Sequence, residues 1–142
     1  MFRCGAILLH RNFVFGNGTA KDKYLMIIGS EATYVIAATI TSNGKWYRMD
    51  AGCQSGNRHP AFHLPIGTSC LPKSSWICLN DFYRLNPLDL LRLARKSWVR
   101  KIGRLGTEQA RSVQLCAIGC PEIERRDKCA IRASLVHLPA ST

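Results

Sequence analysis

The sequence is short of acid. Nine Asp and Glu stand against twenty Lys and Arg in 142 residues, a net charge of +11, with an isoelectric point near 9.8. It has no long hydrophobic run either. The longest apolar stretch, 24–40, is interrupted by Gly29, Ser30 and Glu31 and falls short of a membrane span. Residues 1–10 hold one Arg and only the brief apolar run Ala6–Leu9, too short for a secretion signal. There is no Walker, dinucleotide-binding or Gly-x-Ser-x-Gly signature, and Gly16-Asn17-Gly18 lacks the helix that a phosphate cradle needs after it. No internal repeat or low-complexity segment is present. What remains is one domain of ordinary composition, 46% hydrophobic and 20% charged. That is enough to bury a core without staples.

Seven Cys, at 4, 53, 70, 78, 116, 120 and 129, are odd in number and irregular in spacing. The expectation is reduced, mostly buried thiols in a reducing cytosol, and a cytoplasmic location. No Cys-x-x-Cys pair occurs. Cys116 and Cys120 lie four apart on a predicted helix, but no second pair at metal spacing joins them, so they read as core packing. No metal and no cofactor are expected.

The charge is uneven. Residues 1–71 carry 7 basic and 3 acidic groups, residues 72–142 carry 13 and 6, and Arg92–Arg111 alone holds seven basic residues against Glu108. A concentrated positive field speeds encounter with polyanions and releases counterions on contact. Nucleic acid is therefore the favoured partner over a membrane surface, with solubility or an acidic protein as the plainer account.

Turn chemistry divides the first half into short strands. Ala6–Leu9, Lys23–Ile28, Thr33–Thr41, Ala61–Ile66 and Ser75–Leu79 read as strands, with loops at 12–22, 52–58 and 67–74. Asn43-Gly44 signals a hairpin into Trp46-Tyr47. From Leu88 the period changes. Leu88, Leu91, Ala94, Trp98, Ile102 and Leu105 fall on one helical face, and Arg92, Lys96, Arg100 and Arg104 on another. Four like charges at that spacing repel, which solvent or an anionic partner must offset. A second helix is predicted over 108–118, capped by Thr107 and ended by Gly119 and Pro121. Residues 121–142 read as a loosely held extension.

Several residues suit nucleic-acid chemistry. His59, beside Arg58 on a polar loop, is a neutral-pH proton shuttle able to face a phosphate. His63, inside a predicted strand, reads as a core histidine. Lys45, Trp46, Tyr47 and Arg48 interleave rings with cations, which suits stacking of single-stranded bases as well as ordinary packing across a sheet.

Five segments together carry a family likeness: CGAILLH (4–10), KDKYLMIIG (21–29), YVIAATITSN (34–43), LPKSSWICLND (71–81) and GRLGTEQARSVQLCAIG (103–119). Across residues 4–119 the chain resembles the MazF/PemK-like toxins of toxin–antitoxin systems. That resemblance implies a mainly β fold with a C-terminal helix (α+β), a small SH3-like antiparallel β-barrel over 1–120, with a homodimer as its assembly. It implies metal-independent endoribonuclease cleavage of single-stranded RNA, neutralised by an acidic antitoxin. The family's Arg at the head of the second strand corresponds to Lys23, a point charge in place of a bidentate fork. Its strand-closing Thr or Ser corresponds to Thr41 or Ser42. Lys23 would supply a cation to the phosphate, with Lys21 or Arg11 as substitutes, and Thr41 or Ser42 would orient it. These residues also fit a plain strand start and strand end. A non-catalytic basic SH3-like module, and a toxin of the same fold acting on a protein such as a topoisomerase, are the competing readings.

Overall fold

A computed structural model describes residues 2–138. Seven strands and three helices follow in the order β1 (Ala6–Val14), β2 (Ala20–Ser30), β3 (Val35–Thr41), β4 (Gly52–Gln54), β5 (Ala61–Leu64), β6 (Ser75–Leu85), α1 (Pro87–Arg95), β7 (Val99–Arg104), α2 (Thr107–Ile118) and α3 (Arg125–Ala133). The strands form one sheet in the order β4-β5-β6-β3-β2-β1-β7. Every pairing is antiparallel. The fold is thus α+β with a mainly antiparallel sheet. No helix among the described residues is long and apolar enough to cross a membrane.

The period-2 rule sorts the core into two clusters. Ile7, Met26, Ile28, Ile36, Ile40 and Ile77 pack with α2 and α3 on one face. Leu8, Leu25, Ile27, Val35 and Ala37 pack with Leu90 of α1 and Val99 of β7 on the other. Strands β2 and β3 are covered on both faces, which is why they read as continuous apolar runs. Each fully buried Ile or Leu contributes about 1.5–3 kcal/mol over an exposed one. His63 is buried, as its strand position suggests, stacked on Trp76 with ring centroids 4.4 Å apart.

The predicted helix from Leu88 to Leu105 is half helix and half strand. Asn86 caps α1 by accepting from the Leu88 N–H, Pro87 opens it, and it ends at Arg95. Ser97 then takes a left-handed φ of 62°, and the chain doubles back so that β7 pairs with the free edge of β1. Hydrogen bonding to that edge outweighs the helical spacing of the apolar residues. The basic stripe is dispersed with it: Arg92 lies on α1, Lys96 caps that helix, and Arg100 and Arg104 lie on β7.

The predicted Asn43-Gly44 hairpin does not form, because β3 already has β2 and β6 as neighbours. Residues 42–51 instead fold as an irregular loop over Trp76. A Cβ on Gly44 would stand 2.5 Å from Trp76 Cη2, so only glycine lets the loop lie that close. The 12–22 loop is shorter than expected, since β1 runs to Val14 and β2 starts at Ala20, and the 52–58 loop contains β4. Helix α2 takes Gly106 as its N-cap in place of Thr107, and Gly119 ends it as predicted.

Residues 121–136 are not loosely held. Ile123, Ala130 and Ile131 belong to the same core cluster as β2 and α2, and Ile131 Cγ1 would lie 3.2 Å from a Cβ on Gly29. The buried Gln114 amide donates to the Ile28 and Ser134 carbonyls at 3.0 and 2.9 Å, while its oxygen accepts from the Val136 N–H at 2.9 Å. Residues 139–142 lie outside the described residues. The expectation of reduced, mostly buried thiols also fails. Cys53 on β4 and Cys116 on α2 form a disulfide, and Cys70 and Cys129 are exposed. The partners are 63 residues apart, so the fold and not their spacing brings them together.

Gly103 on β7 meets Cys70 of the β5–β6 loop, where a Cβ would stand 2.5 Å from the sulfur. The β5–β6 loop therefore reaches across to β7, at the other end of the strand order.

Candidate active site at the ends of three strands

A cavity of about 450 Å³ opens where β2 begins, β3 ends and β6 begins. Lys21, Asp22, Lys23 and Tyr24 form its first wall, Ile40 to Asn43 its floor, and Pro72, Lys73 and Ser75 its far wall. Register explains the grouping. Tyr24 pairs with Ile40 and Thr41 with Trp76, so the next step along β2 sets Lys23 opposite Thr41 on the same face of the sheet. Lys23, Thr41, Ser42 and Lys21 thus share one cavity.

Lys23 is half-buried, and burial lowers its pKa from the ordinary lysine value; nearby Cys78 opposes this and Lys21 adds to it. A desolvated ammonium gives up its proton more readily and acts more strongly on a nearby anion. Thr41 Oγ1 accepts from the Asn43 N–H at 3.1 Å, which leaves its own proton free to donate. Asp22 Oδ1 accepts from the Asn12 N–H at 2.9 Å and ties the β1–β2 hairpin to the cavity wall. Lys21 leans over the Phe15 ring, 5.7 Å from its centroid.

The loop beside the cavity is pinned from β4. Gln54, only 6% exposed, donates to the Arg48 and Asp50 carbonyls at 2.7 and 3.0 Å and accepts from the Arg48 N–H at 3.1 Å. Trp76 Nε1–H donates to the Arg48 carbonyl at 3.0 Å. Tyr47 stacks on Trp76 and its hydroxyl lies 3.4 Å from Cys78 Sγ. Burial, and then that hydrogen bond, push the Tyr47 pKa up.

The remaining expected residues lie elsewhere. His59 does not line the cavity. It packs against Trp46, ring centroids 5.5 Å apart, and Lys45 Nζ sits 5.0 Å from the Trp46 ring. Trp46 is 59% exposed, so this cluster offers a ring to solvent. Arg48 pairs with Asp50 at 2.8 Å and Arg92 with Asp89 at 3.2 Å, both in solvent. Arg58 lines a separate surface hollow with Pro121 and Glu122. Arg11 and Arg100 share a smaller hollow of about 210 Å³ at the end of α1.

Sequence reasoning missed Asp22, Lys73 and Ser75. Asp22 sits between two lysines already singled out, a signal that was readable. Lys73 reaches the cavity only through the β3–β6 pairing. It also missed His10, the register partner of Lys23 on β1, whose ring packs edge-on against Phe13. Among the described residues no group of three or more His, Cys, Asp or Glu gathers to hold a metal ion. No protein-family model matches the chain, and no curated protein matches it.

Proposed function

We propose that this protein is a toxin-like endoribonuclease of the MazF/PemK type, cutting single-stranded RNA through its 2′-hydroxyl without a metal. The observation that carries the reading is the convergence of Lys23, Thr41 and Ser42, the residues the resemblance singles out, on one open cavity. The contact of Gly103 with Cys70 supports the accompanying fold, a curled sheet closing toward a small SH3-like barrel. An acidic antitoxin and a homodimer belong to the same proposal.

The chemistry follows from the wall. The 2′-oxygen attacks the adjacent phosphorus and the bond to the 5′-oxygen breaks, giving a 2′,3′-cyclic phosphate and a 5′-hydroxyl. The Asp22 carboxylate takes the 2′-hydroxyl proton, and Lys23, made more acidic by burial, returns one to the 5′-oxygen. Before that transfer the Lys23 ammonium stabilises the charge building on the phosphorane, while Thr41 and Ser42 donate to its oxygens. Proton gain and loss balance within the cavity.

The test is incubation with single-stranded RNA in excess chelator. The expected outcome is cleavage to 2′,3′-cyclic phosphate ends, absent on 2′-deoxy substrate and lost in Lys23→Ala and Thr41→Ala. Cleavage that survives both substitutions removes this site. The exposed cations of β7 favour a second reading, a basic module that binds without cutting. Binding with no cleavage of any RNA selects it.

A further inference from the structure

We infer that Lys73 holds the phosphate next to the scissile one, so that the site acts on RNA carrying two consecutive phosphates. This rests on the RNA-cleaving reading of the same cavity.

Lys23 and Lys73 stand on opposite walls. In the sheet, β3 lies between β2 and β6, so the two walls are two strand spacings apart, about 10 Å at the backbone. The floor between them carries Thr41 and Ser42. A phosphate seated on that floor is already met by the Lys23 ammonium and two hydroxyls. Lys73 then remains for a different anion. Lysine is a point charge without a fork, suited to neutralising one phosphate apiece.

Lys73 is also uncommitted and well anchored. The ion pairs found among the described residues are Arg48–Asp50, Arg84–Asp127 and Arg92–Asp89, and none engages it. Lys21, the other cation on the rim, is already turned to Phe15. The segment that presents Lys73 is fixed on both sides. Leu71 is 4% exposed in the core, Pro72 restricts the backbone, and Ser75 Oγ donates to the Lys73 carbonyl at 2.8 Å. Ser74 Oγ accepts from the Ile66 N–H at 3.0 Å. Lys73 is exposed and its side chain still loses rotamer freedom when it meets an anion, but the segment that carries it needs no further ordering.

The experiment compares pooled dinucleotides, with one phosphate, and pooled trinucleotides, with two, on wild type, Lys73→Ala and Lys73→Arg. Wild type is expected to cleave the trinucleotides about tenfold better in kcat/KM. Lys73→Ala loses that advantage through KM, so that its loss on trinucleotides exceeds its loss on dinucleotides, and Lys73→Arg restores it. In parallel, binding of an all-2′-deoxy decamer pool across salt concentrations should lose about 0.7 of its log–log slope in Lys73→Ala. Equal losses on both substrate lengths, or an unchanged salt slope, overturn the proposal. If wild type cuts no RNA, the nuclease reading falls. The salt slope then still decides whether Lys73 meets a phosphate.

Discussion

Lys23 and Arg100 are both basic residues on strands, and the molecule treats them in opposite ways. Lys23 is half-buried in the first half of β2, held beside Thr41 where burial weakens its grip on its proton. Arg100, Lys101 and Arg104 stand in solvent on β7, the last strand of the sheet. Charges on an exposed edge strand have a sufficient cause in the sheet itself, because they discourage edge-to-edge pairing with another chain. A desolvated lysine has no such cause. It costs stability, and groups of this kind concentrate where chemistry is done. The density of charge is therefore a poorer guide to the site than the way a single charge is held.

The contrast makes its largest claim about turnover. Lys23→Ala should lower kcat by about 10²–10³-fold, the usual loss when one donor to a transition-state oxyanion is removed, while the salt slope of RNA affinity falls by only about 0.7. Replacing Arg100, Lys101 and Arg104 together by Ser should do the reverse. Turnover at saturating RNA persists, and the salt slope of single-strand binding falls by about 2. Cleavage kinetics beside a salt titration of affinity checks both arms. Loss of kcat in the β7 variant would put the chemistry at the wrong end of the molecule.

A second comparison concerns the two edges of the sheet. Strand β7 is guarded by charge, whereas β4 has only three residues and is tied to α2 by the Cys53–Cys116 disulfide. Closing a loop of 63 residues restricts the unfolded chain, an effect of about 2–4 kcal/mol for a typical bridge. Cys53→Ser, or reduction of the wild type, should lower Tm on the order of 10 °C. Thermal unfolding with and without a dithiol reductant checks it. An unchanged Tm means that the β4 pairing and the Gln54 hydrogen bonds hold that edge unaided.

Legibility in the sequence divides along the same lines. Strands β2 and β3 were readable because burial on both faces makes an unbroken apolar run, and α2 because its apolar spacing ends at Gly119. Lys23, Thr41 and Ser42 were reached through the family resemblance; Thr41 closes β3 and Ser42 follows it, whereas Lys23 is the fourth residue of β2, inside a strand that begins earlier than its apolar run. The stretch after Leu88 misled, since Trp98, Ile102 and Leu105 fit a helical face. The free edge of β1 outweighs that local pattern, and no local pattern reports it. Lys73 and the disulfide share this character. Their meaning depends on which strands and helices become neighbours, a property of topology rather than of spacing.

The smallest expected effect is the most pointed test of why Lys23 is held as it is. Its folded-state pKa is lowered, chiefly by burial. Between that value and the ordinary lysine value the unfolded chain binds more protons than the folded one, so stability rises with pH across the window. Below the window the folded state carries the desolvated charge and its full penalty. Lys23→Met keeps the apolar stem and removes the charge. It should therefore lose turnover as Lys23→Ala does while matching or exceeding the wild-type Tm at pH 7, and the gap should close as pH climbs toward the ordinary lysine value. Melting curves of both proteins from pH 7 to pH 10 decide it. If Lys23→Met melts lower at every pH, the ammonium is holding the sheet end together through its neighbours, and its burial is no argument for chemistry. If it melts higher, the chain keeps a destabilising charge in the cavity where the proposed reaction has use for it.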